Sequence, residues 1–115
     1  MRRTGENLIY KDNINQIISF GELSFDTERN ELWDHQNLIY LTSSESKIMQ
    51  IFSKSIGVPI TRFDLIKALR TNGKPMNDRA IDVQITRLRR KIERNPKEPR
   101  YLQTLRGIGY MLTAD

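Results

Sequence analysis

The sequence predicts an α+β domain: an antiparallel sheet at the N-terminal end, three helices, and a β-hairpin at the C-terminal end. Three observations predict it. Between Ile18 and Leu41 short apolar pieces alternate with turn-rich spacers. From Thr42 to about Arg94 the apolar residues recur at helical spacing. From Tyr101 to Leu112 two short apolar runs flank Arg106-Gly107-Ile108-Gly109.

Residues 1–17 are polar and mixed without a sustained period, and read as a linker ahead of a domain spanning 18–115. The sheet is expected from Ile18–Phe20, Leu23–Phe25, Glu31–Trp33 and Leu38–Leu41, with Phe20, Phe25, Trp33 and Tyr40 assigned to the core. Thr42-Ser43-Ser44-Glu45 is a capping box: the Thr42 hydroxyl accepts from the backbone while Glu45 reaches back to the cap N–H. A helix should start there, with Ile48, Met49, Ile51, Phe52 and Ile56 inward and Gly57 and Pro59 ending it. A second helix should follow Thr61 as cap, with Asp64 at its third position and Leu65, Ile66 and Leu69 inward. Asn72-Gly73-Lys74-Pro75 breaks the chain, and Asn77 or Asp78 caps a third helix over about 78–94.

The third helix carries the chemistry. At 100° per residue, Ile81, Ile85, Leu88 and Ile92 form one narrow stripe, while Arg79, Val83, Thr86, Arg87, Arg90 and Arg94 fall opposite. Guanidinium forks fit phosphate oxygens and the O6/N7 edge of guanine, and valine and threonine methyls suit the 5-methyl of thymine. A basic outer face is most often merely solvated, so the neighbouring elements matter. The second helix joins the third through a short loop, as in helix-turn-helix proteins, and the hairpin places Arg106 at its tip, where arginine can enter a minor groove.

Charge placement agrees. The net +5 lies entirely in residues 86–115, where eight bases face three acids, while residues 20–45 carry six acids against Arg29 alone. An acidic partner would meet the C-terminal end. With no cysteine, disulfides, thiolate metal sites and cysteine nucleophiles are excluded. His35 is the only histidine and reads as a turn residue; no metal or other cofactor is expected. Glu28, Glu31, Asp26 and Asp34 fall in predicted turns without an apolar pocket to raise a carboxyl pKa, so no catalytic centre is expected either. Gly107-x-Gly109 lacks the third glycine and following helix of a phosphate loop, and both glycines read as turn geometry. No apolar run approaches the roughly 20 residues of a membrane span, and a soluble cytoplasmic protein is expected.

Four segments carry a resemblance: Leu41-Thr42-x-x-Glu45, Arg62-x-x-Leu65, Asp78-Arg79-x-Ile81-Asp82-Val83 through Leu88-Arg89-Arg90-Lys91-Ile92, and Thr104-x-Arg106-Gly107-x-Gly109-Tyr110. In this order and spacing they resemble the winged-helix effector domains of OmpR/PhoB-type bacterial response regulators, over about residues 18–113. The resemblance implies a winged helix-turn-helix with a four-stranded N-terminal sheet, and sequence-specific control of transcription in a two-component system. It puts Arg79, Val83, Arg87 and Arg90 at the DNA, with Arg87 as base reader and Val83 on a thymine methyl. Gln84 would touch phosphate, Arg106 would sit at the minor groove, and Thr104 and Tyr110 would lie near the DNA backbone. Thr86 stands where many members have arginine, which changes base preference. Loop 70–77 would be a candidate contact for RNA polymerase, with Arg70 where a tryptophan commonly stands. The resemblance also implies a preceding receiver domain joined through 1–17, a monomer when alone, and a head-to-tail dimer on tandem half-sites. Two rival classes remain: a non-specific nucleic-acid-binding basic module, and a protein interaction domain whose basic helix docks an acidic partner.

Overall fold

One inward-facing apolar row sets the first sheet. In a computed structural model describing residues 17–70 and 76–115, β1 (Ile17–Phe20), β2 (Leu23–Asp26), β3 (Glu31–Asp34) and β4 (Asn37–Ile39) pair antiparallel in sequence order. Their register aligns Ile18, Phe25, Leu32 and Ile39 in one row across the inner face, with the first three buried. The hairpins close as the spacers predict. Asp26 Oδ1 accepts the N–H groups of Glu28 and Arg29 at 3.0 Å, and Asn30 and His35 adopt positive φ. Most of the expected linker, and residues 71–75 of loop 70–77 with the Asn72–Pro75 break, lie outside the described residues.

Helix α1 (Ser43–Ser53) begins with both halves of the capping box: Thr42 Oγ1 accepts from the Glu45 N–H at 3.2 Å, and Glu45 Oε1 accepts from the Thr42 N–H at 2.9 Å. It ends earlier than the sequence suggests. Lys54 is the C-cap, Ile56 lies outside the helix and is exposed, and Gly57 instead donates its N–H to the Leu112 carbonyl. Helix α2 (Arg62–Leu69) is capped by Thr61, whose Oγ1 accepts from the Asp64 N–H at 3.0 Å. Helix α3 (Asp78–Ile92) is capped by Asn77.

The core is built on α3. Ile81, Ile85, Leu88 and Ile92 are all buried against Ile48, Met49 and Phe52 of α1, Leu65 and Leu69 of α2, the inner sheet row, and Leu102 and Leu112. Each such side chain stabilises the fold by about 1.5–3 kcal/mol relative to exposure. Tyr40 corrects the expected core: it is 74% exposed, and Lys91 Nζ sits 5.4 Å from its ring centroid.

The C-terminal hairpin consists of β6 (Leu102–Leu105) and β7 (Gly109–Leu112), which follow β5 (Ile60–Thr61) in chain order. The sequence analysis missed β5, which pairs with β7 and makes a three-stranded sheet in the order β5-β7-β6. This pairing also revises the role of Gly109. A Cβ there would stand 2.1 Å from the Ile60 carbonyl oxygen, so Gly109 is required by close backbone approach, whereas Gly107, at φ +78°, makes the turn.

One buried ion pair ties these layers together. The buried Glu45 carboxylate accepts from Lys91 Nζ, which also donates to the Tyr40 carbonyl at 2.7 Å, joining α1, α3 and the end of the first sheet. Burial alone would push the Glu45 carboxyl up, but hydrogen bonds from Lys91 and Thr42 and the Lys91 charge outweigh it and hold the group below its ordinary value. Its stabilisation is therefore present above the ordinary carboxylate pKa and lost as pH falls below it. Lys91→Met should cost about 3 kcal/mol at neutral pH by leaving Glu45 buried and unpaired. That cost should shrink on acidification, as Glu45 becomes neutral. Urea unfolding at pH 7 and pH 4 measures both.

Candidate nucleic-acid interface

Burying one stripe of α3 leaves the opposite face in solvent. Arg79, Thr86, Arg87 and Arg90 are exposed and Val83 is 39% exposed, as the periodicity predicts. At 100° per residue Arg79, Val83, Thr86 and Arg90 occupy a sector of about 60°, with Arg87 about 40° beyond its Val83 edge. Arg94 departs from the expectation. The helix ends at Ile92 and Glu93 is extended, so exposed Arg94 lies beyond the helical face. Gln84 is half-buried beside the face, and its Oε1 has no hydrogen-bond partner among the described residues. Thr86 Oγ1 donates to the Asp82 carbonyl at 2.9 Å, one turn back.

The hairpin turn is closed by the Ile108 N–H donating to the Leu105 carbonyl at 2.9 Å, which projects Arg106, Gly107 and Ile108 into solvent. Arg106 is thus at the tip, as expected. Thr104 is exposed, but its hydroxyl already accepts from Arg89 Nη2 at 2.8 Å. Tyr110 is not brought to the surface at all: it is 4% exposed and its hydroxyl donates to Asp82 Oδ1.

Tyr110 instead centres a network that sequence reasoning missed. Arg62 Nε donates to Asp82 Oδ1 at 2.8 Å, and its guanidinium lies 5.1 Å from the Tyr110 ring centroid, with that of Arg89 at 5.7 Å. Arg89 Nε also donates to the Leu102 carbonyl at 2.8 Å. Burial pushes the Asp82 carboxyl up, but the Tyr110 and Arg62 hydrogen bonds overcome it and hold Asp82 below its usual value. Burial and the Asp82 carboxylate together raise the Tyr110 phenol. Members from α2, α3 and the hairpin are 20 to 48 residues apart in sequence, and only the spacing of the motif segments that contain them hinted at them.

A second carboxylate fixes the turn after α3. Glu93 is buried and accepts the N–H groups of Arg100, Tyr101 and Leu102 at 2.7–3.0 Å, starting β6 beneath the helix end.

These contacts separate two groups among the basic residues around α3 and the hairpin. Arg62, Arg89, Lys91 and Arg100 are engaged by carboxylates, carbonyls, a hydroxyl or aromatic rings. Among the described residues Arg79, Arg87, Arg90, Arg94 and Arg106 form no ion pair.

A helix-turn-helix with a basic outer face and an arginine-tipped hairpin beside it defines a winged-helix domain. The chain belongs to the family described as "Transcriptional regulatory protein, C terminal", whose model matches residues 35–112. It is 48% identical over 105 residues to Protein PetR of Rhodobacter capsulatus, covering 87% of this chain and 44% of PetR, so it spans less than half the length of that relative. Response regulator DrrB of Thermotoga maritima, an OmpR/PhoB homologue, superimposes with a TM-score of 0.76 at 28% identity, over 94% of this chain and 52% of DrrB. The RstA DNA-binding domain of Klebsiella pneumoniae, solved in complex with the RstA box, gives 0.70 at 30% identity, over 85% of this chain and 97% of that domain. The winged-helix fold and the OmpR/PhoB resemblance are thereby established.

Tyr110→Phe separates a structural role from a DNA contact. It should lower stability by about 1 kcal/mol through the lost hydroxyl. Duplex affinity at fixed salt should stay unchanged; weaker binding by the folded variant would mark the hydroxyl as a DNA contact.

Proposed function

We propose that this domain binds double-stranded DNA sequence-specifically to regulate transcription, as the effector part of a two-component response regulator. The observation that carries the reading is the set of arginines that, among the described residues, have no carboxylate partner on one helix face and at the adjacent hairpin tip. Helix α3 enters the major groove, with Arg87 reading a base and Arg79 and Arg90 holding it in register, and Arg106 reaches the neighbouring minor groove. Arg94 and Gln84 contribute phosphate contacts at the margins, and Thr104 approaches the DNA backbone while bound to Arg89. The complex of the RstA domain with its box supports this reading.

Several features of the whole protein belong to the same proposal. Residues 1–17 join the domain to a receiver domain, the regulator works in the bacterial cytoplasm, and two copies bind tandem half-sites head to tail. Loop 70–77 remains the candidate RNA polymerase contact, with Arg70 at its start. No helix among the described residues is long and apolar enough to cross a membrane.

Selection of bound duplexes from a random library should recover a motif repeated at about one helical turn. On that site Arg87→Ala should cost about 1–3 kcal/mol and relax specificity at one base pair. Arg106→Ala should flatten the salt dependence by about one phosphate's worth. Equal affinity for unrelated duplexes would leave a non-specific basic module, and no duplex binding at low salt would leave a protein interaction domain.

A further inference from the structure

Thr86 lies on the exposed face of α3 with its hydroxyl bonded back onto the helix backbone. Its hydroxyl hydrogen is committed to the Asp82 backbone carbonyl at 2.9 Å, one turn back along the same helix, which fixes the acceptor in place. A hydroxyl used in this way offers no donor to guanine N7 and O6 or to thymine O4. Thr86 therefore presents its methyl group. Three residues earlier on the same face stands Val83, an apolar side chain 39% exposed between Arg79 and Arg87. The two sit about 4.5 Å apart along the helix axis, comparable to the roughly 3.4 Å rise between stacked bases.

We infer that Thr86 is a specificity-determining residue that, together with Val83, reads the 5-methyl groups of two neighbouring thymines in the major groove. The inference rests on the DNA-binding reading above and adds the chemistry that the face selects. An arginine at position 86 would seek the acceptor edge of guanine; this threonine has no free hydrogen to donate to that edge, and its methyl matches the one major-groove feature that needs no hydrogen bond. The surrounding guanidiniums supply affinity, and the methyl strip supplies discrimination against cytosine.

The test uses the duplex recovered by selection, with each thymine replaced in turn by deoxyuridine, which removes only the methyl. Two neighbouring replacements should each weaken binding about four-fold, the value of one buried methyl-sized group. In Thr86→Ser, which keeps the hydroxyl and loses the methyl, sensitivity at one of those two positions should vanish. In Thr86→Val, which keeps methyls and loses the hydroxyl, it should persist. Thr86 is exposed, so neither change disturbs the core. Equal binding of every deoxyuridine duplex, or sensitivity kept by serine and lost by valine, would overturn the inference. Arg87→Ala still weakening the selected site would then leave the DNA-binding reading standing. Recovery of no motif at all would overturn both.

Discussion

Helix α3 can hide its aliphatic side chains in only one orientation, and the rest of the molecule is arranged around that constraint. Ile81, Ile85, Leu88 and Ile92 lie on one stripe of a 15-residue helix, and all four are buried. Rolling the helix by a quarter turn would expose much of the stripe and draw guanidinium groups into the core, where desolvation of an unpaired charge costs several kcal/mol. Helices α1 and α2, the inner row of the first sheet and the end of the hairpin each contribute apolar surface to the same stripe. The exposed arginine face is thus what core packing leaves over.

The flanks between stripe and exposed face are pinned by charges that cancel within the protein. At 100° per residue Asp82 and Arg89 share one flank and Lys91 lies on the other. Asp82 and Arg89 fasten the helix to α2 and the hairpin, and Lys91 fastens it to Glu45 and Tyr40. Both carboxylates lie below their ordinary pKa despite burial, because each accepts hydrogen bonds that outweigh desolvation. Such pairs specify position more than they add stability, since their desolvation offsets much of their attraction. The uncompensated charge is concentrated where a polyanion would be met.

Much of this was legible in the sequence, wherever the signal is local. The capping threonines, the aliphatic period of α3 and the glycine-marked hairpin each depend on residues within a turn or two of one another. Failures occurred where the deciding partner is distant in sequence. Tyr110 reads as a surface residue of the hairpin until Asp82 and Arg62 are brought to it. Gly109 reads as a turn residue until β5 passes beside it, and β5, with two residues, has no period to detect. Tyr40 continues the apolar run from Leu38 but falls beyond the end of β4, with the Lys91 ammonium over its ring. Arg94 fits the helical wheel, but Glu93 leaves helical geometry to collect the backbone N–H groups of 100–102.

The arginine-tipped hairpin and the exposed helix face act as one surface because Arg89 bonds to both Leu102 and Thr104 of β6. Only the residues between Leu105 and Gly109 project past those anchors. A guanidinium on a freely moving hairpin would lose orientational freedom on meeting a groove, and that loss would subtract from affinity. Here the ordering is met during folding, through contacts that use hydrogen bonds of Arg89 and the ring of Tyr110 and none of the exposed arginines. The same economy explains why the network members carry charge yet face inward. They hold α3 and the hairpin at a fixed separation, so under the proposed DNA-binding reading a site met by the helix would determine which groove segment the hairpin tip can reach.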